Sequence, residues 1–180
     1  MKESNLTKPD IEYIIRPLQQ PDIEPLGALY FPWSTRDETI EKWNRYLDEQ
    51  QKDTRMARIV EQRGEIVGYG HLLHSSEYPH FNRNQIPEIN DVWVYEKNRR
   101  QGIATALITH LEQLAKQEGY TEVGIGVGLY QDYGAAQQLY FRLGYEPDGK
   151  GITYKHAAVI PGETYPIDDD LILWLAKHLS

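Results

Sequence analysis

The stretch "VWVYEKNRRQGIATAL", residues 92–107, decides how this sequence folds. An apolar strand enters it and an apolar helix leaves it. Between them stand Arg99, Arg100, Gln101 and Gly102. A helix start exposes backbone N–H groups that have no partner in the helix, together with the positive end of its dipole. A glycine there lets a ligand approach the backbone with no Cβ in the way. Two arginines add charge suited to a phosphate or pyrophosphate. The plainer alternative is a polar strand-to-helix connection, and both readings stand on these residues alone.

Working outward, the downstream side is strongly periodic. Ile103, Leu107, Leu111, Leu114 and Ala115 form one apolar stripe over a helix from Gly102 to Glu118, and Gly119 stands at its C-terminal cap. "TEVGIGVG" follows as a strand, and "GAAQQLYFRLG" (134–144) as a helix stopped by Gly144. Upstream, "EINDVWVYE" (88–96) is a strand preceded by a polar, proline-bearing loop over 75–87. Before it, "RMARIVE" and "IVGYGHLLH" form two strands joined by a turn around Gly64. Residues 36–51 form a helix in which Ile40, Trp43 and Leu47 repeat at helical spacing, and Thr35 with Glu38 makes a capping box. A first strand (13–18) and a short helix from Asp22 to about Tyr30 open the fold. "GITYKHAAV" and "DLILWLAKHL" close it, the latter readable as helix or strand. Strands first, then strand-helix-strand-helix-strand, predict an α/β protein: a mixed sheet with helices on both faces.

Bulk properties bound the function. A chain of 180 residues suits one domain, here 11–180 behind a flexible tail over 1–10. Its net charge of −8 argues against a nucleic-acid partner and leans toward a cationic small molecule or peptide. It has no cysteine, which removes disulfides, thiolate metal sites and a cysteine nucleophile. No apolar signal segment and no membrane-length run is visible, so a cytoplasmic protein without a membrane partner is expected. A homodimer is allowed by the sequence but not specified by it. His71 and His74, three apart on a strand, face opposite sides and cannot share a metal, so no metal is expected. "GIGVGLYQDYG", with Asp148 about 20 residues on, lacks the glycine spacing of a dinucleotide-binding turn.

The pattern Arg99-x-x-Gly102-x-Ala104, after a strand and opening a helix, resembles the acetyl-CoA signature of the GNAT superfamily of N-acetyltransferases. "YIIRPLQQPD" (13–22) resembles that family's opening strand and turn, and "AAQQLYFRLGYEPDG" (135–149) its later helix. The resemblance covers most of residues 13–156 and implies a mostly antiparallel sheet of about seven strands, split by a β-bulge. It implies that acetyl-CoA is the co-substrate, its pyrophosphate held by backbone N–H groups among Arg99, Arg100, Gln101, Gly102, Ile103, Ala104 and Thr105. The pantetheine arm would add to the strand edge at Val92 and Val94, in the manner of β-augmentation. Gly124, Gly126 and Gly128 suit a strand that a ligand or another backbone approaches closely. Where the family often has an asparagine, three residues before Ala136, this chain has Tyr133, so Tyr133 or Gln137 would have to substitute.

The resemblance further implies direct acetyl transfer to a primary amine in a ternary complex. An alkylammonium has a pKa near 10, so a proton acceptor is needed at neutral pH. Glu88, at the start of the central strand, resembles the family's base. Asp91 is second and, by strand alternation, points to the opposite face. Tyr140, in the family's Leu-Tyr pair, would donate to the departing thiolate, its phenol pKa close enough to a thiol's for a nearly balanced transfer. Tyr30, Phe31, Trp33, Tyr78 and Phe81 suggest a partly apolar acceptor pocket. A regulatory or interaction module that binds acyl-CoA without turnover is the alternative from another class.

Overall fold

The computed structural model describes residues 13–29 and 34–179. The expected tail over 1–10 and the aromatic residues Tyr30, Phe31 and Trp33 lie outside the described residues. In chain order the elements are β1 (Ile14–Pro17), α1 (Ile23–Gly27), α2 (Arg36–Gln51), β2 (Arg55–Gln62), β3 (Glu65–Leu73), α3 (Pro79–Asn84) and β4 (Glu88–Val94). Then come α4 (Ile103–Gln117), β5 (Glu122–Gly128), α5 (Gly134–Arg142), β6 (Glu146–Tyr154), β7 (Ala157–Ala158) and β8 (Leu171–His178).

The strands form one eight-stranded sheet in the order β1-β2-β3-β4-β5-β8-β6-β7. The two-residue β7, hairpinned onto the end of β6, makes it one strand larger than expected. Every described pairing is antiparallel except β4 with β5. That parallel pair meets only at Glu88 opposite Gly124 and Ile89 opposite Ile125, and then the two strands part. On the other side of β4, the register with β3 slips: Tyr69 faces Trp93, but His71 faces Asn90. One residue, Gly70, thus spans two on β4, and Asp91 takes a φ of +50°. This is a β-bulge, and it bends β4 where the split opens.

Helices cover both faces. Trp43 of α2 packs edge-on against Tyr69 of β3, with ring centroids 4.8 Å apart. Leu107 of α4 approaches Gly70 of the same strand from the opposite face, joining Leu72 and Ile89 in the larger core cluster. The predicted stripe of α4 is realised: Ile103, Leu107, Leu111 and Ala115 are buried and Leu114 is half-buried. The Thr35–Glu38 capping box forms, with Thr35 N–H donating to Glu38 at 2.8 Å. Those donors hold the Glu38 carboxyl below its usual pKa, the backbone bond contributing most.

Two elements differ from the sequence reading. The 75–87 segment contains the helix α3, started by Pro79 and ended by Gln85 at a φ of +55°. It is too short for a periodic pattern to show. The ambiguous last segment is a strand because it lies between β5 and β6, where a continuous apolar run buries both faces. The Asp168–Asp170 run does not cap a helix but turns the chain into β8, the Asp170 N–H donating to the Asp168 carboxylate at 3.1 Å.

Candidate active site

The loop from β4 to α4 is built as an open cradle. Arg100 has a φ of +61° and Gly102 one of +84°. An alternation of this kind turns successive N–H groups toward one concavity. Among the described residues, nothing but its chain neighbours lies within 4 Å of where a Cβ on Gly102 would stand. Ile103 is buried and anchors the first turn, Ala104 is half-buried, and Arg100, Gln101 and Thr105 are exposed. Arg99 is used differently. Its Nε donates to the Val94 carbonyl at 3.0 Å and its guanidinium lies 5.2 Å from the Trp93 ring centre, strapping the loop to the end of β4.

From this cradle the split between β4 and β5 runs back to Ile89. Beyond that residue the β4 edge facing β5 has no ladder partner among the described residues, along a stretch that includes Val92 and Val94. Such an edge suits an extended ligand that adds backbone-like hydrogen bonds. The glycines of β5 are closely approached by side chains of the fold. A Cβ on Gly124 would fall 2.1 Å from the Phe81 ring, one on Gly128 2.4 Å from the Tyr133 ring, and one on Gly126 3.0 Å from Ile172 and Trp174. Side chains of the fold thus pack directly on all three glycines.

On α5 and just before it, both offered substitutes for the missing asparagine are engaged. The Tyr133 hydroxyl donates to Asp169 at 2.9 Å, and Gln137 donates to the Gly128 carbonyl at 2.8 Å. Ala136 packs at the edge of the larger core. Tyr140 is buried in that core, and burial pushes its phenol up to about 12. That is well above a thiol's ordinary value near 8.5, so the expected balanced transfer is corrected. At neutral pH the phenol keeps its proton.

Glu88 lies at the closed end of the split and Asp91 just beyond it, at the bulge. Glu88 is 4% exposed. The Ser76 hydroxyl donates to one of its oxygens, and Asn90 Nδ2 to the other at 2.8 Å. Burial raises its pKa, opposed by the Ser76 and Asn90 bonds and by the nearby His156. Asp91 departs from expectation. The bulge cancels the alternation, so Asp91 points to the α2 face, where its carboxylate meets Lys42 Nζ at 2.8 Å and stands 3.8 Å from His71 Nε2. Asn90, the cross-strand partner of His71, shares that face through its bond to Glu88. Glu88 and Asp91 therefore lie on one face, and Tyr140 on the other, with the β4–β5 gap as the passage between them.

His71 and His74 do separate. His74 pairs with Glu118 at 3.0 Å, whereas His71 is fully buried beside Trp43, Tyr46 and Tyr69, and burial pushes its imidazole down to about 3. The His71–Asp91–Lys42 grouping went unseen in the sequence because the bulge that assembles it leaves no compositional mark. Of the expected pocket aromatics that are described, Tyr78 and Phe81 are buried instead, Tyr78 stacked 4.3 Å from Trp174 and Phe81 seated over Gly124. Asp148 accepts from the Tyr78 hydroxyl at 2.7 Å, which occupies it locally.

Comparison with known proteins agrees with this geometry. A model of the acetyltransferase (GNAT) family matches residues 19–145. Over 92 residues the chain is 34% identical to N-acetyltransferase 8 of Rattus norvegicus, a match taking in 51% of this chain and 40% of that protein. The chain thus spans less than half the length of that curated relative. An N-acetyltransferase from Staphylococcus aureus superposes with a TM-score of 0.69 at 18% identity, covering 94% of this chain and 99% of its own. The ribosomal L7/L12 alpha-N-protein acetyltransferase in complex with coenzyme A gives 0.69 at 14% identity, over 93% of this chain and 94% of its own. The ribosomal-protein-S18-alanine N-acetyltransferase of Escherichia coli gives 0.62 at 19%, over 94% and 95%. At such identities the structural likeness speaks for the fold.

Proposed function

The chain belongs to the acetyltransferase (GNAT) family, and on that premise we propose that it is an acyltransferase that moves an acetyl group from acetyl-CoA to a primary amine by direct attack. The observation that carries the proposal is the split itself. A parallel strand pair parts after two residue pairs, its free β4 edge leads to an unobstructed helix start at Gly102, and a buried carboxylate stands at its closed end. The residues present fit the co-substrate: the cradle is open, and beyond Ile89 the β4–β5 ladder ends, leaving no β5 partner for Val92 and Val94 among the described residues. Acetyl-CoA supplies the activated thioester carbonyl.

The N–H groups from Gly102 to Thr105 hold the pyrophosphate, with Arg100 adding charge, while Arg99 acts through the loop it straps down. Val92 and Val94 offer backbone groups to the pantetheine arm. Tyr133 and Ala136 border the cofactor side from α5. Glu88 accepts the amine's proton: burial favours its protonated form, and Ser76 and Asn90 keep the carboxylate oriented. Tyr140 holds a proton at its hydroxyl for the departing sulfur. With no cysteine in the chain, a cysteine-borne acyl group has no carrier.

Calorimetric titration with acetyl-CoA, followed by a thiol-release screen over amine classes, tests this reading. Binding with turnover of at least one amine class is expected. Absence of binding at millimolar acetyl-CoA overturns it. Binding without thiol release from any amine favours the module without turnover.

A further inference from the structure

We propose that Asp91 and the rings of Trp43, Tyr46 and Tyr69 form the seat of the acceptor's ammonium group, and that the Lys42 side chain occupies this seat until an acceptor displaces it. The proposal deepens the acyl-transfer reading above and rests on it for the identity of the site.

Three independent features converge on this spot. First, the Lys42 ammonium lies 5.4 Å from the ring centre of Tyr46, 5.7 Å from that of Trp43 and 5.9 Å from that of Tyr69. Its Nζ also stands 2.8 Å from an Asp91 oxygen. Several aromatic rings and one carboxylate around a cation are the composition of an ammonium-binding site. Second, Asp91 is held at a φ of +50°, a left-handed conformation that is unfavourable for a non-glycine residue. The strained turn throws its carboxylate onto the α2 face, just past the point where the β4–β5 pairing ends and on the side of Glu88. Third, His71 behind it is fully buried, and both ring nitrogens lack a hydrogen-bond partner among the described residues. An unpaired buried polar group of this kind is costly, and the 3.8 Å to Asp91 is too long to relieve it. Because the imidazole stays uncharged, it does not neutralise Asp91, and Lys42 is the cation that pairs with it.

Lys42 is suited to a temporary stay. Its side chain is 35% exposed and that of Asp91 is 26% exposed. The four-carbon stem can swing outward from α2 by side-chain rotation alone. What fits in its place is what it resembles, a primary ammonium on an unbranched alkyl arm, as in a lysine side chain or the end of a polyamine. An occupied seat lowers apparent affinity in proportion to its free fraction. If Lys42 fills it nine-tenths of the time, its removal strengthens binding about tenfold.

The test uses the whole chain and reads amine binding without turnover. Pentylammonium is titrated into the parent, Lys42→Ala, Asp91→Asn and Lys42→Ala/Asp91→Asn proteins by NMR, with neutral pentanol as the control ligand and melting curves to confirm folding. Pentylammonium should bind Lys42→Ala about tenfold more tightly than the parent, and the gain should vanish when Asp91→Asn is added. Pentanol should show no such gain. Unchanged or weaker amine binding in folded Lys42→Ala overturns the proposal, as does an equal gain for pentanol. Acetyl-CoA binding is measured on the same samples. Its absence overturns the acyl-transfer reading, while the amine titration still decides whether the seat exists.

Discussion

At the scale of single residues, Glu88 and Tyr140 carry separable expectations. Glu88→Gln should lower kcat/KM by about 10²- to 10⁴-fold at neutral pH. The deficit should shrink as pH approaches the amine's own pKa, where the substrate arrives deprotonated. A deficit flat across that range would show that Glu88 only positions substrate and would move the base to Asp91. Stability should change in the other sense. Burial raises the Glu88 pKa, so the folded state keeps its proton to higher pH than the unfolded chain does. Stability from this group is present at low pH and falls as pH rises through the folded value. Melting curves of Glu88→Gln should therefore improve relative to the parent as pH rises from the ordinary carboxylate range toward neutrality. Tyr140→Phe should lose activity at every pH in that window and above, because a phenol pushed up to about 12 contributes no alkaline limb below pH 11. Gly102→Val puts a β-branched side chain at a φ of +84°, in space that is otherwise empty. Backbone strain alone should cost about 1–3 kcal/mol of stability. Acetyl-CoA affinity should fall more than this strain accounts for, as calorimetry on the folded variant would show. Affinity equal to the parent's would take the phosphate away from this loop.

At the scale of elements, α3 and β5 are coupled through one missing side chain. Phe81 is fully buried over Gly124, in ring contact with Tyr78 and Trp174. Since a Cβ on Gly124 would come 2.1 Å from its ring, Gly124→Ala must push α3 off the sheet. Overpacking of this kind should cost about 1–3 kcal/mol in a denaturant titration. Ser76 and Tyr78 precede α3 directly, so the orientation of Glu88 should loosen as well. An amine KM that rises while acetyl-CoA binding holds would place α3 on the acceptor side. Unchanged stability would mean that Phe81 has room the packing does not show. The bulge in β4 couples elements in the same way. It is one extra residue opposite Gly70, yet it bends the strand away from β5 and reverses the direction of Asp91.

At the scale of the whole molecule, charge is divided unevenly. The chain has a net charge of −8, while the loop before α4 concentrates Lys97, Arg99 and Arg100. An acidic body draws cationic amines, and a basic loop suits a phosphate. Both attractions should weaken with salt: KM for a cationic amine and for acetyl-CoA should each rise between 50 and 500 mM salt, over which screening shortens to a few ångströms. An amine KM insensitive to salt would confine recognition to the seat itself. Acidic, amine-poor compounds serving as the better acceptors would overturn the charge argument.

Local patterns were enough to determine the α4 stripe, the Thr35 capping box, the turn at Gly64 and the glycine at the helix entrance. Each rests on contacts within a few residues, where side-chain period and capping chemistry act directly. That is why a strand-to-helix loop with a glycine at the helix entrance was legible over 99–105. The tertiary structure alone decided the rest. β8 became a strand only by lying between β5 and β6, and Gly124 owes its identity to a ring more than forty residues away in the chain. Asp91 changed face because a single residue of β3 spans two of β4, a register set by pairing between strands. Alternation predicts a direction for each side chain only while the ladder is regular. Where it slips, neighbours in space replace neighbours in sequence, and His71, Asp91 and Lys42 meet there from three different elements.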